Sequence, residues 1–296
     1  MLRKILPLAC IAALPMAASA LPMVGLTTDA RLVYFDSANP GNILYTTSIF
    51  GLSQGERFVG LDKRPANGQL YALSNLGQIY VINQQLGIAG KVGAGGIVIN
   101  QAANYGVNFN PVADRIRIIA DDDSNQRANP DTGALVAADT TQSPTGDRTA
   151  TAYDRSTNPP AALTTMYVID TTSDTLGIQG GFDGTPSPNG GVITNIGPLG
   201  VNAVGDAGFD IGVDGSAVAS FLVGTERALY NVSLVNGTST RVGAFGAAFP
   251  VFDVSFVNAI PTAPQNIAVP TLNSIGFYGL LAGIAGLGAV MAFRRK

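Results

Sequence analysis

Histidine and tryptophan are absent from the 296 residues, and the only cysteine is Cys10. Together these absences exclude a Ser-His-Asp triad, a cysteine nucleophile beyond Cys10, and a zinc centre built from His or Cys ligands. A disulfide framework is excluded too, so burial and sheet pairing must hold the fold alone. No long stretch of 3.6-residue apolar period interrupts the middle of the chain. What remains for chemistry is a set of carboxylates, amides, hydroxyls, Tyr, Lys and Arg.

The two ends differ from the middle. Arg3 and Lys4 precede an apolar run from Ile5 to Leu14, and Ala18-Ser19-Ala20 is a small-residue cleavage pattern, so residues 1–20 read as a secretory signal cut between Ala20 and Leu21. Pro7-Leu8-Ala9 is a poor lipobox for Cys10, which is expected to be discarded with that signal. Ile275 to Phe293 is an uncharged apolar stretch of 19 residues, the length of a membrane-crossing helix, and Arg294-Arg295-Lys296 follows it. A basic cluster on that side keeps the end in the cytoplasm while the signal sends the body outward. Before the helix stand a charge-free linker, residues 261–268, and Val269-Pro270-Thr271-Leu272. This order of motif, helix and basic end resembles the IPTL-CTERM class of sorting signals, with Val269 in place of the usual Ile. The resemblance implies handling by an exosortase-type transpeptidase after passage through the Sec translocon and signal peptidase. The alternative is a plain C-terminal anchor. The protein is thus expected to be exported, transiently anchored in the inner membrane, then at the cell surface or released.

Between these ends, residues 21–268 carry 12 Lys and Arg against 20 Asp and Glu, a net charge of −8. Such a body is repelled by nucleic acid and by anionic lipid. Its segments of five to seven alternating residues, punctuated by Gly, Asn, Asp and Pro, predict an all-β domain over residues 21–260.

The strands repeat. Leu70 to Asn83 lies over Met23 to Asp36 at an offset of 47 residues, and the same pattern fits Ile116 to Asn129, Ser220 to Ser233 and, more loosely, Met166 to Gln179. A triplet of small residue, large apolar residue and Asp or Asn precedes each pair: Gly60-Leu61-Asp62, Gly106-Val107-Asn108, Ala152-Tyr153-Asp154, Gly208-Phe209-Asp210 and Val251-Phe252-Asp253. Steps between the last residues are 46, 46, 56 and 43. Val92-Gly93, Ile196-Gly197 and Val242-Gly243 mark outermost strands in three copies. The fifth triplet ends the domain, whereas the strand pair at Met23 opens it without one. Joining the two completes a blade from both termini, the ring closure of a β-propeller, here with five four-stranded blades. A sandwich or an open β-solenoid is the alternative.

Gly25-Leu26-Thr27-Thr28, Asp62 through Tyr71, Phe109 through Arg117 and Asn129-Pro130-Asp131-Thr132-Gly133 resemble the bacterial family called domain of unknown function 4394. The likeness runs from about Val24 to Phe256. It implies a propeller-like repeat in an exported protein and supplies no activity.

Three groups of residues are candidate sites. Asp62, Asn108, Asp154, Asp210 and Asp253 are expected on the innermost strands, where they suit either a cation or carboxylate chemistry, or the capping of turns. Capping is favoured, because a residue repeated in every blade serves the frame while a catalytic residue need occur once. Asp121, Asp123 and Asn125 have the spacing that opens a calcium loop, though Gln126 and Thr132 stand where an EF-hand needs Gly and Glu. Arg115, Arg117, Arg127 and Asn129 cluster in the third repeat, as a surface for an anionic sugar or an acidic protein segment, or as ion pairs with Asp114, Asp121 or Asp131. Two functions follow: a surface-displayed binding or structural module facing a polysaccharide or surface protein, or a carboxylate- or metal-dependent polysaccharide hydrolase.

Overall fold

The computed structural model describes residues 20–246 and 249–262. Alternating apolar residues form twenty short strands there, arranged as five four-stranded antiparallel sheets. The first blade holds β1 (Pro22–Thr27), β2 (Arg31–Asp36) and β3 (Asn39–Ser48). The second holds β4 (Phe58–Lys63), β5 (Leu70–Ser74), β6 (Ile79–Ile82) and β7 (Ala89–Val92). The third holds β8 (Tyr105–Asn110), β9 (Arg115–Ala120), β10 (Asn125–Ala128) and β11 (Leu135–Ala138). In the fourth are β12 (Arg148–Tyr153), β13 (Met166–Asp170), β14 (Thr175–Gln179) and β15 (Ile193–Pro198). The fifth contains β16 (Gly208–Ile211), β17 (Ala217–Val223), β18 (Glu226–Val232) and β19 (Ser239–Ala244). A last strand, β20 (Val251–Phe256), returns to the first blade.

Ring closure takes the expected form. β20 pairs antiparallel with β1, placing Met23 opposite Phe256 and Leu26 opposite Asp253, so the first sheet has the order β20-β1-β2-β3. β20 thus supplies the inner strand that the N-terminal part of the first blade lacks, and β1 is paired on both sides. Burial falls from axis to rim: β4, β8, β12, β16 and β20 are buried almost throughout, while β7, β11, β15 and β19 are largely half-buried or exposed.

The triplet has a steric reason. A Cβ on Gly60 would lie 2.6 Å from Val107, one on Gly106 2.9 Å from the Thr151 backbone, and one on Gly208 2.6 Å from Asp253 Cα. The small residue therefore lets one inner strand approach the next. The large residue that follows, Leu61, Val107, Tyr153, Phe209 or Phe252, is buried between blades.

The seams between blades are not alike. Seventeen buried apolar residues, among them Phe209, Phe221 and Tyr230, fill the space between the fourth and fifth blades. Thirteen lie between the first and second and thirteen between the second and third. Between the third and fourth there are four: Ile119, Tyr153, Met166 and Val168.

Next to β1 the Leu21 N–H donates to Ser37 Oγ at 2.9 Å. The expected apolar helix at 275–293, the sorting motif Val269-Pro270-Thr271-Leu272 and most of the signal lie outside the described residues. Among the described residues no helix is long and apolar enough to cross a membrane.

Candidate functional site

Polar side chains gather at two places, the propeller axis and the seam between the third and fourth blades. On the axis, each acid or amide reaches the backbone of the neighbouring inner strand. The Leu61 N–H donates to Asp253 Oδ2 at 2.8 Å, Phe109 N–H to Asp62 Oδ2 at 2.7 Å, Tyr153 N–H to Asn108 Oδ1 at 2.9 Å and Phe256 N–H to Asp210 Oδ2 at 2.7 Å. Four of the five inner-strand contacts are thereby tied by side chain to backbone.

The fifth corrects the sequence reading. Tyr153 receives from Asn108 the contact that Phe109 receives from Asp62, so Ala152 is the spatial counterpart of Asn108. Asp154 lies just past the end of β12, where it accepts from Thr165 N–H at 2.7 Å and from Arg155 Nε at 3.0 Å. Its strand ends two residues earlier than the triplet spacing implies, and the acid caps a loop instead of facing the axis.

Three carboxylates remain together on the axis, all buried. Ser255 Oγ stands 2.8 Å from Asp62 Oδ1 and 3.0 Å from Asp210 Oδ2. A hydroxyl has one hydrogen to give. It satisfies one carboxylate, and the second contact closes when the other acid carries a proton and donates it to Ser255. Burial and the charge of Asp210 push Asp62 well above the usual carboxylate range. Burial likewise raises Asp210, and it lifts Asp253 to about 8 against the opposing hydrogen bonds from Leu61 and Val254 N–H. Among the described residues no group of three or more acids is placed to hold a metal ion.

The seam between the third and fourth blades is built differently. Arg117, on β9, is 1% exposed and the largest fully buried side chain among the described residues. Its Nη1 donates to Asn125 Oδ1 at 2.6 Å and Asp139 Oδ2 at 2.8 Å, its Nη2 to Asn189 Oδ1 at 2.6 Å, and its Nε to the Tyr153 hydroxyl at 3.2 Å. Arg127, two-sided on the same carboxylate, donates through Nε and Nη2 to Asp139 at 2.7 and 2.8 Å. Burial alone would raise the Asp139 carboxyl, but the hydrogen bonds from Arg127 and Arg117 outweigh it and hold the group below its usual range.

This network borders a cavity of about 230 Å³ lined by Arg115, Arg117, Arg127 and Tyr153. Its walls come from two long connections of the fourth blade. The β12–β13 loop contributes Leu163 and Thr164, and the β14–β15 connection, with short 3₁₀ turns at Phe182–Gly184 and Pro188–Gly190, contributes Asp183, Ser187 and Asn189.

Three of the four expected ligand-binding residues thus meet. Asn129 does not join them, because its side chain accepts Asp131 N–H at 2.8 Å in a turn. Asp114 and Asp131 are taken by Arg64, at 2.5 and 2.6 Å, and leave Arg115 free of a carboxylate partner. The candidate calcium residues are sent to separate partners: Asp121 accepts from Asn104 N–H and Nδ2, Asp123 from Arg148 Nη1 at 3.2 Å, and Asn125 from Arg117. Their spacing is that of a hydrogen-bonded turn between β9 and β10, with Asp123 at φ +62°.

Asp139, Tyr153 and Asn189 escape the sequence reading as site residues. One signal for Asn189 was present, the step of 56 between the third and fourth repeat markers where others are 43 or 46. The excess lies in the connections that wall the cavity.

The family model described as Domain of unknown function (DUF4394) matches residues 31–255. No curated protein matches the chain. Among solved structures, a chain of a nidogen/laminin complex is 12% identical, with 59% of this chain and 60% of that one covered and a TM-score of 0.38. An auxiliary nutrient binding protein from Bacteroides thetaiotaomicron VPI-5482 is 13% identical, with 66% and 55% covered and a TM-score of 0.40. The chain therefore spans 55–60% of the length of these two.

Proposed function

The chain belongs to the DUF4394 family, whose description assigns no activity, and from that premise we propose that it is an exported, cell-surface binding module. One observation carries this reading. The seam between the third and fourth blades has only four buried apolar residues, and in their place a buried arginine network opens into a cavity. A buried ion-pair network contributes little net stability compared with apolar packing of the same volume, so its use here in place of an apolar core favours a ligand over the frame. Rigid strands beneath, long connections above and convergent polar groups are the usual construction of a binding cavity.

The axial carboxylates support the same conclusion from the other side. Each accepts backbone N–H groups of its own or the next blade, which is the work of a frame. A hydrolase would need two carboxyl groups open to one cavity, and Asp62, Asp210 and Asp253 line neither the inter-blade cavity nor the axial hollow of about 300 Å³ at the Tyr105 end. Screening the purified protein on a glycan array and, in parallel, for release of reducing ends from the same polysaccharides tests this. Retention without cleavage is expected, and cleavage of any of them would favour the hydrolase.

Export and surface display rest on the two end signals, with residues 1–20 removed and the tail after Val269-Pro270-Thr271-Leu272 exchanged by an exosortase-type enzyme. Mass spectrometry of the mature protein should find an N-terminus at Leu21 and no Lys296. An intact C-terminus would replace sorting by simple anchoring.

A further inference from the structure

We propose that the cavity between the third and fourth blades binds a carboxylate-bearing sugar, one uronic acid unit of an acidic polysaccharide; this rests on the binding-module reading and names its ligand. Donors without a partner outnumber free acceptors in the lining. Of the Arg115 guanidinium only Nη1 is engaged, by the carbonyls of Ala113 and Asp114, and Nε and Nη2 remain without a protein partner. Arg127 uses Nε and Nη2 on Asp139 and keeps Nη1. Asn189 spends its oxygen on Arg117 and keeps its Nδ2 hydrogens, and Ser187, which accepts Asn189 N–H at 3.3 Å, keeps its hydroxyl proton.

Acceptors are scarce by comparison. Asp139 is consumed by the two arginines, and Asp183 is paired with Arg155 at 2.6 Å. Three guanidiniums therefore share a single directly bonded carboxylate, and the lining offers donors to a ligand that must bring acceptors and negative charge. A carboxylate suits the free edges of Arg115 and Arg127.

The rest of the lining selects what carries the carboxylate. Val112, Ala113, Ala162, Leu163 and Pro188 set apolar surface beside the donors, with Val112 and Leu163 exposed to solvent. A pyranose has such a mixed character, C–H faces with hydroxyls around its edge, and its oxygens accept from Asn189 and Ser187. An acidic peptide would bring main-chain N–H donors to a rim already rich in donors. The volume of about 230 Å³ fits a single ring better than a longer segment.

Titration calorimetry of the purified protein with D-galacturonate and D-glucuronate, with galactose, acetate and a Glu-rich peptide as comparisons, tests the proposal. At least one uronate should bind about tenfold or more tightly than galactose and acetate, the loss expected for one charge-assisted contact. Arg115→Ala should weaken it by a similar factor with an unchanged melting temperature, and Leu163→Asp, a second surface change, should do the same by repulsion. Equal affinity for galactose and uronate, or tighter binding of the peptide, would overturn the sugar assignment. Glycan retention that Arg115→Ala leaves intact would place the ligand elsewhere and spare the binding-module reading, whereas no retention of any glycan would overturn both.

Discussion

The seam between the fourth and fifth blades and the seam between the third and fourth solve one problem in opposite ways. Both close a gap between neighbouring sheets of the same ring. The first does so with seventeen buried apolar residues, the second with four and a guanidinium held by Asn125, Asp139, Asn189 and Tyr153. Apolar filling is non-directional and tolerates any surface that excludes water. An arginine network fixes positions and directions, and it leaves unspent donors where it meets solvent. The difference teaches where in a repetitive fold to look for function: at the seam that departs from its four counterparts.

Two large truncations should separate the seams by consequence and not by cost. Phe209→Ala empties apolar volume between the fourth and fifth blades and should cost about 3–5 kcal/mol in urea unfolding, leaving ligand affinity intact. Arg117→Ala empties the volume of a buried side chain, leaves Asn125 and Asn189 without their guanidinium donor and Asp139 with Arg127 alone, and should cost about 3–5 kcal/mol while also abolishing binding. Binding that survives Arg117→Ala would break the comparison.

On the axis the expected effects are smaller. Asp253→Ala leaves the Leu61 N–H buried without its acceptor, for a cost of about 1–3 kcal/mol. The pH dependence has a definite sign. Asp253 is raised in the folded state to about 8, and Asp62 and Asp210 are raised with it. Stability from these groups is fully present below the unfolded carboxyl range, near pH ~4, and is lost as pH rises through the folded values. The melting temperature should therefore fall between about pH 5 and pH 9, by roughly 2–4 °C for each kcal/mol lost. A flat or rising curve would mean that the axial acids are ionised in the fold, and Asp253→Asn should flatten the slope.

Calcium is expected to have the smallest effect. Asp123 is engaged by Arg148 and Asn125 by Arg117, so melting curves in millimolar calcium and in chelator should coincide. A calcium-dependent rise lost in Asp121→Ala/Asp123→Ala would restore the cation reading of that turn.

Much of the frame was legible because it repeats. The five triplets lie on or at the end of the five inner strands, their small residues answer a close approach that recurs at Gly60, Gly106 and Gly208, and the circular offset between Asp253 and Met23 is the pairing of β20 with β1. Repetition also misled, at Asp154, where an unaltered triplet sits two residues out of register with the strand. The arginines of the third repeat stood out as departures from the apolar residues of other copies. Their partners did not: Asn189 is 72 residues from Arg117, and Arg64 reaches Asp114 and Asp131 across a blade boundary. Contacts of that kind are set by the rotation between blades, which local pattern does not encode.

The trade of packing for a site at the seam between the third and fourth blades is tested most directly by undoing it. Arg117→Met/Asn125→Leu/Asp139→Leu/Tyr153→Phe replaces the buried network by apolar side chains of similar volume, and urea unfolding with and without galacturonate reads stability and binding on one sample. The account predicts unfolding at equal or higher stability, with a gain of up to about 4 kcal/mol, and loss of the stabilisation that ligand gives the wild type. A variant less stable than wild type by several kcal/mol, or one still stabilised by galacturonate, would contradict it.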